Sequence, residues 1–132
     1  MNQRLAQIAL LVEDYDEAIR YYTTRLGFIL LEDTKMSETK RWVVVSPPGD
    51  GGCRLLLANA SNERQQAAIG NQAGGRVFLF LYTDHFWRDY DRMVLHDIEF
   101  IEKPRDEPYG TVVVFKDLYG NLWDFIEPRQ QK

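Results

Sequence analysis

The sequence predicts an α+β fold in which one strand–helix–strand–strand–strand unit occurs twice in tandem, over residues 5–58 and 77–127. Three observations predict it. First, the openings of the two copies, "LAQIALLVEDYDEAIRYYTTRLGFILLED" and "VFLFLYTDHFWRDYDRMVLHDIEFIEK", align with a shift of 71. That shift sets Val12 on Thr83, Tyr15 on Phe86, Ile19 on Tyr90 and Tyr22 on Met93, and a one-residue deletion then sets Gly27-Phe28 on Asp97-Ile98. Second, the apolar period within each copy changes from that of a strand to that of a helix and back. Third, 132 residues with 45% hydrophobic and 27% charged side chains suit a single soluble globular domain with a proper core. Two such curled half-sheets can face each other across one cleft, and the residues lining that cleft decide the chemistry.

The elements follow in order. Residues 6–12 (AQIALLV) are a short apolar run bounded by Glu13-Asp14 and read as a buried strand. Asp14 or Asp16 can cap the next helix, in which Tyr15, Ala18, Ile19, Tyr22 and Leu26 recur at helical spacing and Gly27 is a natural stop. Strands are expected at 28–33 and at 41–46, where "RWVVVS" is rich in β-branched residues. "PPGDGG" is a turn, and "CRLLLANA" is the fourth strand of the first copy. Residues 59–76 form a linker with a short helix from Glu63 to Ile69, ended by Gly70-Asn71. The second copy runs strand 77–83, helix 84–96, strand 98–102, strand 111–116, turn 117–121 and strand 122–127. "DLYGN" offers Gly120 and Asn121 for positive φ, and "EKPRDEPYGT" reads as a polar, movable loop.

A net charge of −4 without any Lys/Arg run argues against a nucleic-acid surface. No segment approaches the roughly 18 apolar residues of a membrane span, and the N-terminal apolar stretch is too short for a signal peptide. The single cysteine, Cys53, cannot form an internal disulfide, and the expected compartment is the cytoplasm. The expected partner is a small molecule, with neither nucleic acid nor membrane.

"VEDYDEAIRYYTTRLGF" in the first copy and "YGTVVVFKDLYGNLWDFIEP" in the second resemble the vicinal oxygen chelate superfamily. That superfamily takes in glyoxalase I, extradiol dioxygenases, fosfomycin-resistance enzymes and bleomycin-resistance proteins. The second segment is the more specific: an aromatic-Gly pair, a strand, D-x-Y-G-N and a final strand ending in Glu-Pro. The resemblance covers nearly the whole chain. It implies two tandem βαβββ modules forming curved mixed, mainly antiparallel sheets around a cleft, and a homodimer.

Metal-dependent members carry up to four ligands on matching strands of the two copies. The resemblance puts the first at Gln7, the second at Leu55, the third at Phe78 (or Val77 one residue away) and the fourth at Asp124. Only Gln7 and Asp124 are ligand types, and an isolated amide with one carboxylate is a poor shell for a divalent metal. Shifting either empty position by one gives Arg54, Leu56, Val77 or Leu79, none of them a ligand. No tightly bound metal or other cofactor is therefore expected, and a divalent ion would bind weakly. His85 and His96 are eleven residues apart, lack the i, i+4 spacing of paired helical ligands, and read as solvated or helix-terminal.

Without a metal, Asp124 remains a candidate acid/base, with Gln7 beside it, since a carboxylate in an apolar cup has a raised pKa. Phe78, Phe80 and Tyr82 alternate along one strand face. With Trp42, Trp123 and Leu55 they are candidates to line an apolar pocket for a flat ligand. Arg54 interrupts an apolar strand and suits an anionic group on that ligand, while Arg41 and Arg76 lie on or beside strands. Three functions compete: a metal-free binder of a small aromatic or amphipathic molecule, like the bleomycin-resistance branch; a lyase, isomerase or transferase with a weak divalent-metal site at Gln7 and Asp124; and a regulatory module with a self-filled cleft. The first ranks foremost, and the sequence leaves open whether the chain is an enzyme.

Overall fold

The computed structural model describes residues 1–49 and 51–130, so Asp50 of the expected PPGDGG turn lies outside the described residues. The chain divides into two compact units, one from Met1 to Ile69 and one from Gly70 onwards.

The first unit contains β1 (Gln7–Val12), α1 (Tyr15–Arg20), a π-helical turn (Tyr21–Arg25), β2 (Ile29–Lys35), β3 (Arg41–Ser46), β4 (Arg54–Asn59) and α2 (Glu63–Ala68). Its sheet runs β1-β4-β3-β2, with β1 and β4 parallel and the other pairs antiparallel. In-register partners share a face. Leu10, Val12, Val43, Val45, Leu55 and Leu57 thus form one buried face, against which α1 places Tyr15, Ala18 and the π turn places Tyr22. Of the two capping candidates the structure uses Asp14, whose Oδ1 accepts the Glu17 N–H at 3.0 Å.

The second unit contains β5 (Val77–Tyr82), α3 (Phe86–Leu95), β6 (Glu99–Phe100), β7 (Arg105–Glu107), β8 (Gly110–Lys116) and β9 (Leu122–Pro128). Its sheet runs β5-β9-β8-β6, with β7 also on β8. Here Phe86 and Met93 of α3 are buried, with Phe86 5.3 Å from Phe125, and Phe115 stacks on Trp123 at 5.6 Å. The class is mixed α+β with two sheets of mostly antiparallel strands.

The one-residue mismatch between the copies has a structural counterpart. Gly27 (φ 84°) and Asp97 (φ 60°) both take the left-handed conformation that ends their helices. The first helix reaches that point one residue later and absorbs the surplus as the π turn, in which the Leu26 N–H bonds the Tyr21 carbonyl at 3.0 Å. A helical apolar spacing does not reveal such a turn, so the sequence reads as one continuous α-helix.

The expected polar loop "EKPRDEPYGT" instead contains β7, so the second module has an extra strand. Glu107 pairs with Gly110 across a two-residue turn. The Arg129 guanidinium holds the hairpin shut, donating to Asp106 Oδ1 at 2.6 Å and to the Glu107 carbonyl at 2.8 Å. A charged Arg-Asp-Glu run has no strand periodicity to announce it. β6 is correspondingly shorter than the expected 98–102.

Candidate functional site

In the first unit, alternation sends Gln7, Ala9 and Leu11 of β1, Arg54, Leu56 and Ala58 of β4, and Trp42 and Val44 of β3 to the face turned away from α1. Where β3 begins and β4 ends lies a pocket of about 610 Å³, lined by Trp42, Leu56 and Ala58 and by the polar Lys40, Asn59, Ser61 and Gln65. The Asn59 Oδ1 is buried without a hydrogen-bond partner. Arg41 also touches the pocket, but its guanidinium is committed. It forms a fork with Asp33 at 3.0 and 2.7 Å, bonds Asp16 at 2.9 Å, and sits 5.2 Å from the Tyr15 ring centre. Those hydrogen bonds, Asp33 foremost, raise the already high pKa of Arg41, and in return hold the Asp33 carboxyl below its ordinary value. Arg41 thus shapes the wall, and Lys40 is the other cationic side chain that lines the pocket.

Leu55 is a correction. It is only 5% exposed and lies in register with Val45, on the face covered by α1. Matching Leu10↔Leu57 with Leu81↔Phe125 makes Leu56, one residue on, the counterpart of Asp124. Trp123, 3% exposed, is a second correction: it packs against Phe115 on the helix side, and its indole N–H donates to Asp117 Oδ2 at 3.1 Å. Period-2 alternation fixes both. Trp123 and Asp124 are neighbours and must point to opposite faces, so only one of them can line the open one.

In the second unit the open face carries Phe80 and Tyr82, 61% and 66% exposed, with Phe80 in register beside Asp124. Phe78 falls at a bulge where two β5 residues oppose one of β9, and it lines a separate small pocket. Asp124 is half-buried. Burial pushes its carboxyl up, nearby Arg105 pulls it down, and Glu102 pushes it up again. Arg105 itself is shared out, donating to Glu102 at 2.9 Å and to Glu107 at 2.8 Å.

Among the described residues, no three His, Cys, Asp or Glu side chains come together to hold a metal ion. His85 caps α3, its Nδ1 accepting the Arg88 N–H at 3.3 Å, and His96 stands at the other end of that helix. Gln7 and Arg54 are neighbours across the β1–β4 pair, and Arg54 is exposed. Sequence reasoning missed Asn59, Ser61 and Gln65, and reached Leu56 only as a one-residue shift from Leu55. It counted the end of β4 and the start of the linker as a connection, although the polar run "NASNERQ" directly after an apolar strand was visible. It missed Glu102 and Arg105 by reading their segment as loop.

With this geometry in view, the sequence model of the Glyoxalase/Bleomycin resistance protein/Dioxygenase superfamily matches residues 4–125. An uncharacterised protein of Shewanella frigidimarina is 61% identical over 128 residues, covering 96% of this chain and 95% of its own. The crystal structure of UcmS2 superposes with a TM-score of 0.83 at 26% identity, covering 96% of this chain and 99% of that one. TnmS3, an antibiotic binding protein from Streptomyces sp. CB03234, superposes with a TM-score of 0.77 at 24% identity, covering 97% of this chain and 98% of its own.

Proposed function

The chain belongs to the glyoxalase/bleomycin resistance protein/dioxygenase superfamily, and on that premise we propose that it binds a small aromatic or amphipathic molecule without a tightly held metal. The observation that carries the reading is the first unit's pocket. Its volume of about 610 Å³ falls within the roughly 300–1,000 Å³ of small-molecule sites. An indole and two aliphatic side chains give it an apolar wall, and the unpaired Asn59 Oδ1 accepts a hydrogen bond from a donor on the ligand. The scaffold is one that TnmS3, an antibiotic binding protein, also uses. In this reading the protein is a cytosolic homodimer of two 15.5 kDa chains, a mass that light scattering reads directly.

A thermal-shift panel of planar compounds tests the reading. At least one compound is expected to raise the melting temperature, since a ligand at a hundred times its Kd stabilises by about 2.7 kcal/mol. Trp42→Ala is expected to weaken that compound up to about tenfold by removing the stacking surface. A broad panel in which nothing stabilises the protein, or a Trp42→Ala variant that binds as well as wild type, refutes it.

Asp124 supports a second reading, a lyase, isomerase or transferase with a weak divalent-metal site. A half-buried carboxylate beside Glu102 gains from a cation, and Gln7 is the other ligand-type residue at a family position. Manganese or zinc is then expected to raise the melting temperature of wild type and not of Asp124→Ala; an equal response in both ends this reading. The same carboxyl has a pH signature. Because its folded pKa is raised, the stability it contributes is full below the ordinary carboxylate pKa and is lost as pH rises through the raised value. Asp124→Asn should therefore gain on wild type as pH rises above the ordinary carboxylate value, which urea unfolding over a pH series reads.

A further inference from the structure

Resting on that reading and narrowing it, we propose that the first unit's pocket takes an aromatic lactam, a planar ring whose amide N–H and C=O stand side by side. The polar groups that select this occupant come from the segment where β4 runs into α2.

Asn59 closes β4 and Gln65 lies in α2, and both line the pocket. The Asn59 side chain makes no hydrogen bond among the described residues, and its Oδ1 is buried. Such an acceptor calls for a donor on the ligand. A flipped amide would be worse off, burying two N–H donors in place of one acceptor. Gln65 presents the opposite need. Its Oε1 accepts the Ser61 backbone N–H at 2.8 Å and the Ser61 hydroxyl at 3.0 Å. A backbone N–H can only donate, so these bonds fix the amide. Its Nε2 is left with two N–H donors and no partner among the described residues.

The occupant must therefore carry a donor and an acceptor together. A carboxylate has acceptors alone and would leave Asn59 Oδ1 unmet. An ammonium has donors alone and would leave Gln65 Nε2 unmet. A neutral amide has both, and its form follows from the peptide geometry. An open-chain secondary amide is trans, with N–H and C=O on opposite edges, whereas a ring holds them cis on one edge. Trp42, Leu56 and Ala58 supply the apolar wall for the rest of the ring, which stacks on the indole while its amide edge turns to Asn59 and Gln65.

The full chain is titrated with isocarbostyril, a benzo-fused lactam, and with isocoumarin, in which a ring oxygen replaces the N–H. Backbone amide shifts are followed by NMR. Isocarbostyril is expected to move amides of the pocket-lining segments 39–42 and 56–61 and to bind at least tenfold more tightly than isocoumarin, which sets an acceptor against Asn59 Oδ1. In Asn59→Leu, which breaks no hydrogen bond within the described protein, the two are expected to bind alike. Gln65→Glu still accepts from Ser61 but has no N–H to give, and is expected to weaken isocarbostyril at least tenfold. Naphthol, with donor and acceptor on one atom instead of two, is expected to bind more weakly than the lactam. Equal binding of isocarbostyril and isocoumarin to wild type overturns the proposal, as does naphthol binding as tightly or an unchanged affinity in Gln65→Glu. Each of these leaves the pocket a binding site for planar molecules. No shifts with isocarbostyril also overturns it, and the broader reading then falls only if the whole planar panel fails to stabilise the protein.

Discussion

Asp117→Ala is expected to destabilise the protein by about 3–5 kcal/mol, the range for removing one partner from a buried charged network. The Asp117 carboxylate is 6% exposed and collects four donors. They are the Tyr119 N–H at 3.1 Å, the Asn121 N–H at 3.0 Å, the Asn121 Nδ2 at 3.2 and 3.0 Å, and the Trp123 Nε1 at 3.1 Å. Alanine leaves buried donors unmet at about 1–3 kcal/mol each, while relaxation and water recover part of the loss. For a domain of this size such a loss is a large share of the ~5–15 kcal/mol that holds it folded. Asp117→Asn keeps one acceptor oxygen but points an amide at the donors, so it is expected to fall between wild type and Ala. Urea unfolding at neutral pH measures both. A loss under about 1 kcal/mol for Ala would mean that the turn is satisfied by water and that its carboxylate is dispensable.

The same turn shows how far the sequence can be read. D-x-Y-G-N was recognisable as a turn because Gly120 and Asn121 suit left-handed backbone, and Gly120 adopts φ 97°. That its aspartate also anchors the indole of Trp123 was not readable, since the bond spans two elements whose faces are set only when β8, β9 and α3 pack. The strand and helix order was readable because hydrophobic periodicity is a local property. Register was less so. Placing Leu55 opposite Asp124 missed by one residue, and in a strand one residue reverses the face. The π turn hid for the reverse reason: an extra residue that leaves Tyr22 and Leu26 on the buried side costs the pattern nothing visible. Of the pocket in the first unit, Trp42 was legible as an aromatic on a strand. Asn59, Ser61 and Gln65 were not, because their convergence depends on where α2 returns after β4.

Phe86→Ala is expected to cost about 3–5 kcal/mol, the range for deleting a buried aromatic side chain. Phe86 is 1% exposed. Its ring meets Tyr90 at 5.6 Å, Trp87 at 5.0 Å and Phe125 at 5.3 Å, so it joins α3 to the centre of the second sheet. Its backbone N–H donates to Glu127 Oε1 at 2.7 Å, which pins the first turn of the helix to β9. Alanine keeps that bond and removes the ring, leaving a cavity that the three flanking rings cannot all move to fill. The repeat supplies an internal comparison. The equivalent residue in the first unit, Tyr15, is 9% exposed and borders the large pocket, and its hydroxyl accepts the Arg41 N–H at 3.2 Å. A truncation there opens onto existing space, and the freed N–H is within reach of water, so Tyr15→Ala is expected to cost less than Phe86→Ala. Phe86→Leu, which keeps most of the volume, should cost under about 1.5 kcal/mol. Urea midpoints at constant m-value give all three. If Tyr15→Ala proves the more damaging, the first unit's pocket is closed in solution, and the apolar wall assigned there to a ligand is filled by the protein itself.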